Sequence, residues 1–208
     1  MDHRSSFNHV FPLEVVIACV VFGLVLVVLT AAVVRSRTRW GRRAKPTKSH
    51  PKTEGLYVAI VAGLAVFLVV FSIDNNRSSL AAHPAMKVQV TAFQWCWRFA
   101  YTGTPVTVTG QCQGGAVPTL ELPTGKTIEI DLTSSDVVHS MWVPYLRFKM
   151  QAFPDHVNVF DTRLDHPGSW PGRCAEFCGL YHSGMDFTLK AVPPAQFDSW
   201  LRSQEASA

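Results

Sequence analysis

The stretch "GRCAEFCGLYHSGM", residues 172–185, places Cys174, Glu176, Cys178, His182 and Met185 within a dozen positions. Two thiols, an imidazole and a thioether so close together suggest either a disulfide or a metal site, and three readings compete. A disulfide between Cys174 and Cys178 leaves His182 and Met185 unexplained. Zinc accepts both cysteines and the histidine, needs a fourth ligand, and gains nothing from a thioether. Copper suits the whole mixture, because thiolate and thioether select it and imidazole binds it well. A single blue-copper ion would use one cysteine, two histidines and a weak methionine. Two cysteines point instead to two copper ions sharing both sulfurs, each with a histidine of its own.

The second imidazole must come from elsewhere among the eight histidines. His3, His9 and His50 lie outside the segments that read as β structure, His83 sits in a polar linker, and His156 and His166 flank polar turns. His139 differs: it lies in "SSDVVHSMWVP", an apolar strand in which a buried ring needs a polar partner. Taken alone it reads as a hydrogen-bonded core histidine. Beside an incomplete ligand loop 35 residues downstream, it reads as the missing ligand.

These residues need elements to hold them. Segments 13–34 and 56–73 are long apolar runs, the first with one charge, Glu14, at its edge and the second with none. About 20 apolar residues cross a bilayer core as a helix, so both are expected to span a membrane. A signal peptide is shorter and has its basic residues in front, whereas here they follow. Between the spans, residues 35–55 hold eight Lys/Arg and one acid, in a chain whose net charge is only +4. Short positive loops stay in the cytoplasm. Both termini, including residues 1–12, are therefore expected outside, in contact with the same compartment as the remainder of the chain. The basic loop reads as a topology signal and a contact for anionic membrane lipids, with no nucleic-acid partner expected.

After a polar linker, 74–85, the pattern changes to period two. Strands are expected at 86–99, 106–109, 127–132, 137–143, 157–161 and 185–192, separated by turn signals such as "TGTP" and "PTGK". Many short strands of this kind predict an all-β sandwich or barrel over 86–208. A short helix over 192–204 closes it, with Phe197, Trp200 and Leu201 on one face. Cys96 and Cys112 would oppose one another if strand 93–101 turned at 102–106 and returned with a residue sum of 208, which would allow a disulfide; two unrelated thiols are the alternative. Cys19 lies within the first apolar run and reads as a small apolar filler.

The helical hairpin, "FQWCWRF", "DVVHSMWVP" and "CAEFCGLYHSGM" together resemble subunit II of the haem-copper cytochrome c oxidases, over nearly the whole chain. The resemblance implies a two-helix transmembrane hairpin followed by a cupredoxin-like Greek-key sandwich carrying a dinuclear copper centre, CuA, in a bacterial cell membrane. It implies that Cys174 and Cys178 bridge two copper ions, that His139 and His182 bind one each, that Met185 is axial, and that Glu176 contributes its backbone carbonyl. The Glu176 carboxylate becomes a candidate magnesium ligand at the boundary with subunit I. Trp95 matches the electron-input tryptophan, although core packing is the plain alternative for Trp95 and Trp97. Glu54 matches an acid at a proton-channel mouth; by itself it reads as a helix cap. The implied function is to take electrons from cytochrome c, or a complex containing it, and relay them to subunit I, with subunit III as a further partner and proton translocation coupled to oxygen reduction.

Three departures stand out. Cys96 replaces the tyrosine usual between the two tryptophans, Gln151 stands where an acid is frequent, and no Cys-x-x-Cys-His haem-attachment motif occurs. Residues 74–208 hold twelve acids and ten bases, a mildly acidic surface for a basic donor. Asp136, Asp155, Asp161 and Asp165 are candidate docking acids, or simply solvated turn residues. Two other functions also suit the ligand set: a membrane-anchored copper carrier or assembly protein, and the electron-input subunit of a nitric-oxide reductase. Quinol oxidase relatives of the same fold lack the copper ligands, and this chain has them all.

Overall fold

The computed structural model describes residues 3–37, 50–77, 84–110 and 115–206. These fall into two units, Phe7–Ser78 and Ser79–Ala208, the second taking in the first few residues of the chain. The helical unit consists of α1, His3–Arg37, and α2, Pro51–Arg77. Within them Phe7–Arg37 and Pro51–Asp74 are long and apolar enough to cross a membrane. Val20, Leu24 and Val27 leave most of their surface exposed, which suits hydrocarbon and not water.

Both helices overrun the apolar segments. The first begins at His3, so most of residues 1–12 is helical and continuous with the apolar run. The second continues to Arg77, so residues 74–77 belong to the helix and not to a linker. No glycine or proline lies between Gly63 and Pro84 to stop it. At its start Pro51 occupies the first helical position. The His50 amide donates to the Glu54 carboxylate at 3.2 Å. The expected basic loop lies mostly outside the described residues.

Among its described residues the β unit has ten strands: β1 Met86–Phe93, β2 Cys96–Tyr101, β3 Thr107–Thr109, β4 Thr119–Pro123, β5 Thr127–Ser134, β6 His139–Val143, β7 Phe148–Ala152, β8 Asn158–Arg163, β9 Gly168–Cys174 and β10 Asp186–Val192. They form two five-stranded sheets, β3-β2-β1-β5-β8 and β4-β10-β9-β6-β7. Neighbours out of chain order, with β1–β5 and β4–β10 parallel, give the crossovers of a Greek-key sandwich. Alternation does the work in β1, where Val88, Val90 and Ala92 are buried between exposed Lys87 and Gln89, and in β5, where Ile128, Ile130 and Leu132 are buried. Trp97, Phe99, Leu120, Leu122, Phe187 and Leu189 join them in one core. The helix α3, Pro194–Glu205, sets Phe197 into that core with Trp200 and Leu201 against it.

Several expectations need correction. Segment 86–99 is not one strand: it folds at Gln94–Trp95, so that Phe93 pairs with Cys96 across a two-residue turn. Strands β4, β7 and β9 were not expected. β4 holds a buried Glu121 between prolines, neutralised by Lys190 at 3.1 Å. β9 contains two glycines and Pro171, which read as turn signals. Pro171 lies opposite Thr188 of β10 on one side; it is tolerated because on the other side β6 pairs with β9 at Arg173 and Cys174 and does not reach its level. Gly172 has a packing reason: a Cβ there would lie 2.2 Å from the Phe187 ring. The β2–β3 register sums to 207, with Arg98 opposite Thr109, one residue off the expected pairing. Cys96 is disulfide-bonded, and its expected partner Cys112 lies outside the described residues.

Candidate metal centre

The centre sits at the end of the second sheet where β6 begins and the β9–β10 connection turns. Antiparallel pairing sets Met141 opposite Cys174, so His139, two residues earlier on the same face, is brought to the start of the ligand loop. The loop is tied at its base: the Cys174 amide donates to the Met185 carbonyl at 2.9 Å and the Ala175 amide to the Ser140 carbonyl at 2.9 Å. A short 3-10 turn, His182–Gly184, then returns the chain toward β10.

All the expected copper ligands converge. The Cys174 and Cys178 sulfurs lie 3.8 Å apart and both thiols are free. A disulfide would hold them at roughly 2.0 Å. His139 Nδ1 is 3.8 Å from Cys174 Sγ, and His182 Nδ1 is 3.5 Å from Cys178 Sγ. Met185 Sδ lies 3.8 Å from Cys178 Sγ, and the Glu176 carbonyl oxygen 3.2 Å from Cys174 Sγ. His139, Cys174, Cys178 and Met185 are all buried. The donor atoms of His139, Cys174 and Cys178 fall within 4.8 Å of one another, and His182 approaches from the Cys178 side, outside that group. Zinc would have no use for the thioether and the carbonyl that complete the set. The chemistry of the donors fits copper.

Electrostatics separate the two thiols. Burial opposes ionisation of Cys174, but hydrogen bonding with His139, backbone groups of Glu176 and Ser140, and His182 outweighs it and lowers its pKa. Burial and then the charge of Cys174 push the Cys178 pKa up. Burial also disfavours a charged His139, yet its bonds to Cys174 and Asp136 raise its pKa overall.

The two tryptophans part company. Trp97 is fully buried, with its indole N–H donating to the Met185 carbonyl at 3.3 Å. Trp95 is half-buried in the β1–β2 turn, where its Nε1 donates to the Cys178 carbonyl at 3.0 Å and its ring meets Tyr181 edge-on at 4.9 Å. Glu176 lines an open hollow with Val137, Gln151 and Phe177. Of the candidate docking acids, Asp155 and Asp165 are exposed, Asp161 is buried in β8, and Asp136 is engaged by His139. Asp136, Gln94 and Ser140 were not foreseen as part of the site. The three-residue step from Asp136 to His139 was the available signal.

The description "cytochrome c oxidase subunit II, periplasmic domain" matches residues 115–192. A probable cytochrome c oxidase subunit 2 from Streptomyces avermitilis is 30% identical over 222 residues, covering 88% of this chain and 68% of that protein. The chain belongs to the cytochrome c oxidase subunit II family. A relative so described from Nocardia farcinica is 30% identical over 238 residues, covering 79% of this chain and 63% of its own length. The chain thus spans about two thirds of the length of these relatives. The crystal structure of the periplasmic domain of subunit II of cytochrome oxidase from Bradyrhizobium japonicum superposes with a TM-score of 0.55 at 23% identity, covering 62% of this chain and 99% of that one. That likeness bears out the cupredoxin-like sandwich. With two apolar spans ahead of a domain of this family, subunit II is here a membrane-anchored protein with its β unit outside the cytoplasm, and the family and the buried thiol cluster together mark a copper-binding domain.

Proposed function

We propose that this subunit II is the electron input of a respiratory oxidase: it takes single electrons from reduced cytochrome c and hands them to the haem-copper subunit I, where oxygen is reduced and protons are moved. One arrangement carries this reading. The buried sulfurs of Cys174 and Cys178 stand 3.8 Å apart, with a different imidazole nitrogen against each. These four side chains would hold two copper ions, with Met185 and the Glu176 carbonyl as weak outer ligands, and the pair supplies reversible one-electron chemistry when bound.

The protein's own contribution is fixed geometry. The bonds at the base of the loop tie the segment bearing Cys174 to that bearing Met185 and to β6. Ligands held this way need little rearrangement when charge changes, which keeps the barrier to electron exchange low. Trp95 offers the donor a partly exposed indole whose N–H is bonded to the backbone of a ligand residue. The mildly acidic outer domain favours a basic donor.

On the same reading the positive loop lies in the cytoplasm and both termini outside, with membrane lipids around the helices. Glu54 stands at the cytoplasmic start of α2, where a proton-channel mouth would lie, and also caps its helix. Glu176 lines an open hollow, and its carboxylate would be the magnesium ligand at the boundary with subunit I; subunit III would complete the assembly. The test is oxygen consumption by the isolated complex fed reduced cytochrome c. Cys178→Ser is expected to abolish it with haem content unchanged. A chain that isolates without haem subunits and readily surrenders Cu(I) would contradict the proposal and favour a copper carrier.

A further inference from the structure

Asp136 stands in the turn before β6, three residues ahead of His139. The Asp136 side chain keeps 30% of its surface exposed, that of His139 none. Its Oδ1 accepts from His139 Nε2 at 2.8 Å and from the Val137 amide at 2.6 Å, with the Ser134 hydroxyl donating at 3.3 Å. Its Oδ2 accepts from the Gln94 amide, 42 residues earlier in the chain, at 2.6 Å. A docking acid would leave its oxygens to solvent; here both are occupied by the protein.

Gln94 opens the turn that carries Trp95. Both side chains of that turn donate to one acceptor, the Cys178 carbonyl: Gln94 Nε2 at 2.7 Å and Trp95 Nε1 at 3.0 Å. The turn is thus fastened directly to a sulfur ligand and, through Asp136, to an imidazole ligand. With Nε2–H committed to a carboxylate, His139 is left with Nδ1 toward Cys174. An anionic acceptor behind a ligating imidazole fixes the ring plane and strengthens it as a donor.

We propose that Asp136 is a positioning residue that holds the ligand His139 and the Gln94–Trp95 turn in one register, so that the donor-facing indole and the metal-facing imidazole are placed by a single carboxylate. This rests on the copper reading for its effect on the metal, but not for the link between turn and ring.

The test uses the full chain in detergent micelles and the near-isosteric Asp136→Asn. The amide keeps one acceptor oxygen and turns the other into a donor, so it cannot serve both Gln94 and His139. Asp198→Asn, an exposed acid on α3, is the control. In the copper-free chain, hydrogen exchange at the Gln94 amide and the ring-nitrogen resonances of His139 are read. In the copper-loaded chain, affinity is read by chelator competition and the midpoint potential by titration. In Asp136→Asn, faster exchange at Gln94 or a changed His139 tautomer is expected while β5 and β8 amides keep their protection. Copper affinity is expected to fall about 10–100-fold with a shifted potential, and Asp198→Asn should match the parent throughout. Unaltered Gln94 exchange and His139 resonances would overturn the proposal, as would protection lost evenly across the β unit. Changed copper-free signals with unchanged affinity and potential would overturn its bearing on the metal. If the parent chain bound no copper, the proposed function would fall, while the copper-free measurements would still decide whether Asp136 joins turn and ring.

Discussion

Tyr101→Phe isolates one interaction that joins the two sheets. The Tyr101 hydroxyl donates to the Glu121 carbonyl at 2.9 Å and accepts from the Glu121 amide at 3.0 Å. Glu121 lies in β4, which among the described residues is an edge strand paired with β10, so the hydroxyl takes the place of a neighbouring strand. The ring packs edge-on against Trp200 at 5.2 Å and beside Phe197 at 6.1 Å, contacts that phenylalanine keeps. What is lost is the pairing of two buried backbone groups, each worth about 1–3 kcal/mol when left unsatisfied. A destabilisation of about 2–4 kcal/mol is therefore expected by urea denaturation of the chain in micelles, with Trp200 as fluorescence reporter. The pH dependence has a definite sign. Burial holds the Tyr101 phenol well above its ordinary value of 10.0, the Glu121 backbone bond acting in the opposite direction. A group whose folded pKa is raised contributes stability below its unfolded value and loses it as pH climbs beyond. The parent should therefore weaken above about pH 10, and Tyr101→Phe, with no proton to lose there, should show a flatter alkaline limb. A loss below about 1 kcal/mol, or identical alkaline slopes, would show that the Tyr101 hydroxyl does not satisfy the Glu121 backbone.

Trp95→Phe keeps a flat ring but loses the N–H bond to Cys178; cytochrome c oxidation in stopped flow should slow while the copper absorption spectrum stays, and a normal rate would remove Trp95 from the electron-input role. Met185→Leu conserves volume at a buried site and should cost less than about 1.5 kcal/mol. It should retain copper and move its midpoint potential, so an unmoved potential would show that the thioether is not a ligand. Gly179 has φ +117° and a Cβ there would lie 3.2 Å from the Trp95 ring. Gly179→Ala should therefore cost about 1–3 kcal/mol and displace the indole. Unchanged stability and tryptophan emission would contradict that packing.

The candidate ligands stood out in the sequence because each broke a local rule. His139 is a polar ring in an apolar strand, and the loop from Cys174 to Met185 carries more soft donors than a turn requires. The β1 and β5 strands were legible through clean alternation. β4 and β9 were not, because a buried glutamate paired with Lys190 and a proline beyond the end of the β6–β9 ladder look, in sequence, like loop residues. The fold at Gln94–Trp95 was hidden for the same kind of reason: neither residue is a turn former, and the bonds that hold the turn come from Asp136 and Cys178, 42 and 84 residues away. Asp136 was visible only as an acid near a histidine. Its two-sided engagement is a tertiary fact that no local pattern carries.

The most direct measurement is electron paramagnetic resonance of the copper-loaded chain, partly oxidised so that one unpaired electron is present. Hyperfine structure from two equivalent copper nuclei is expected, collapsing in Cys178→Ser. A pattern from a single copper nucleus in the parent chain would contradict a shared pair of sulfurs between two ions.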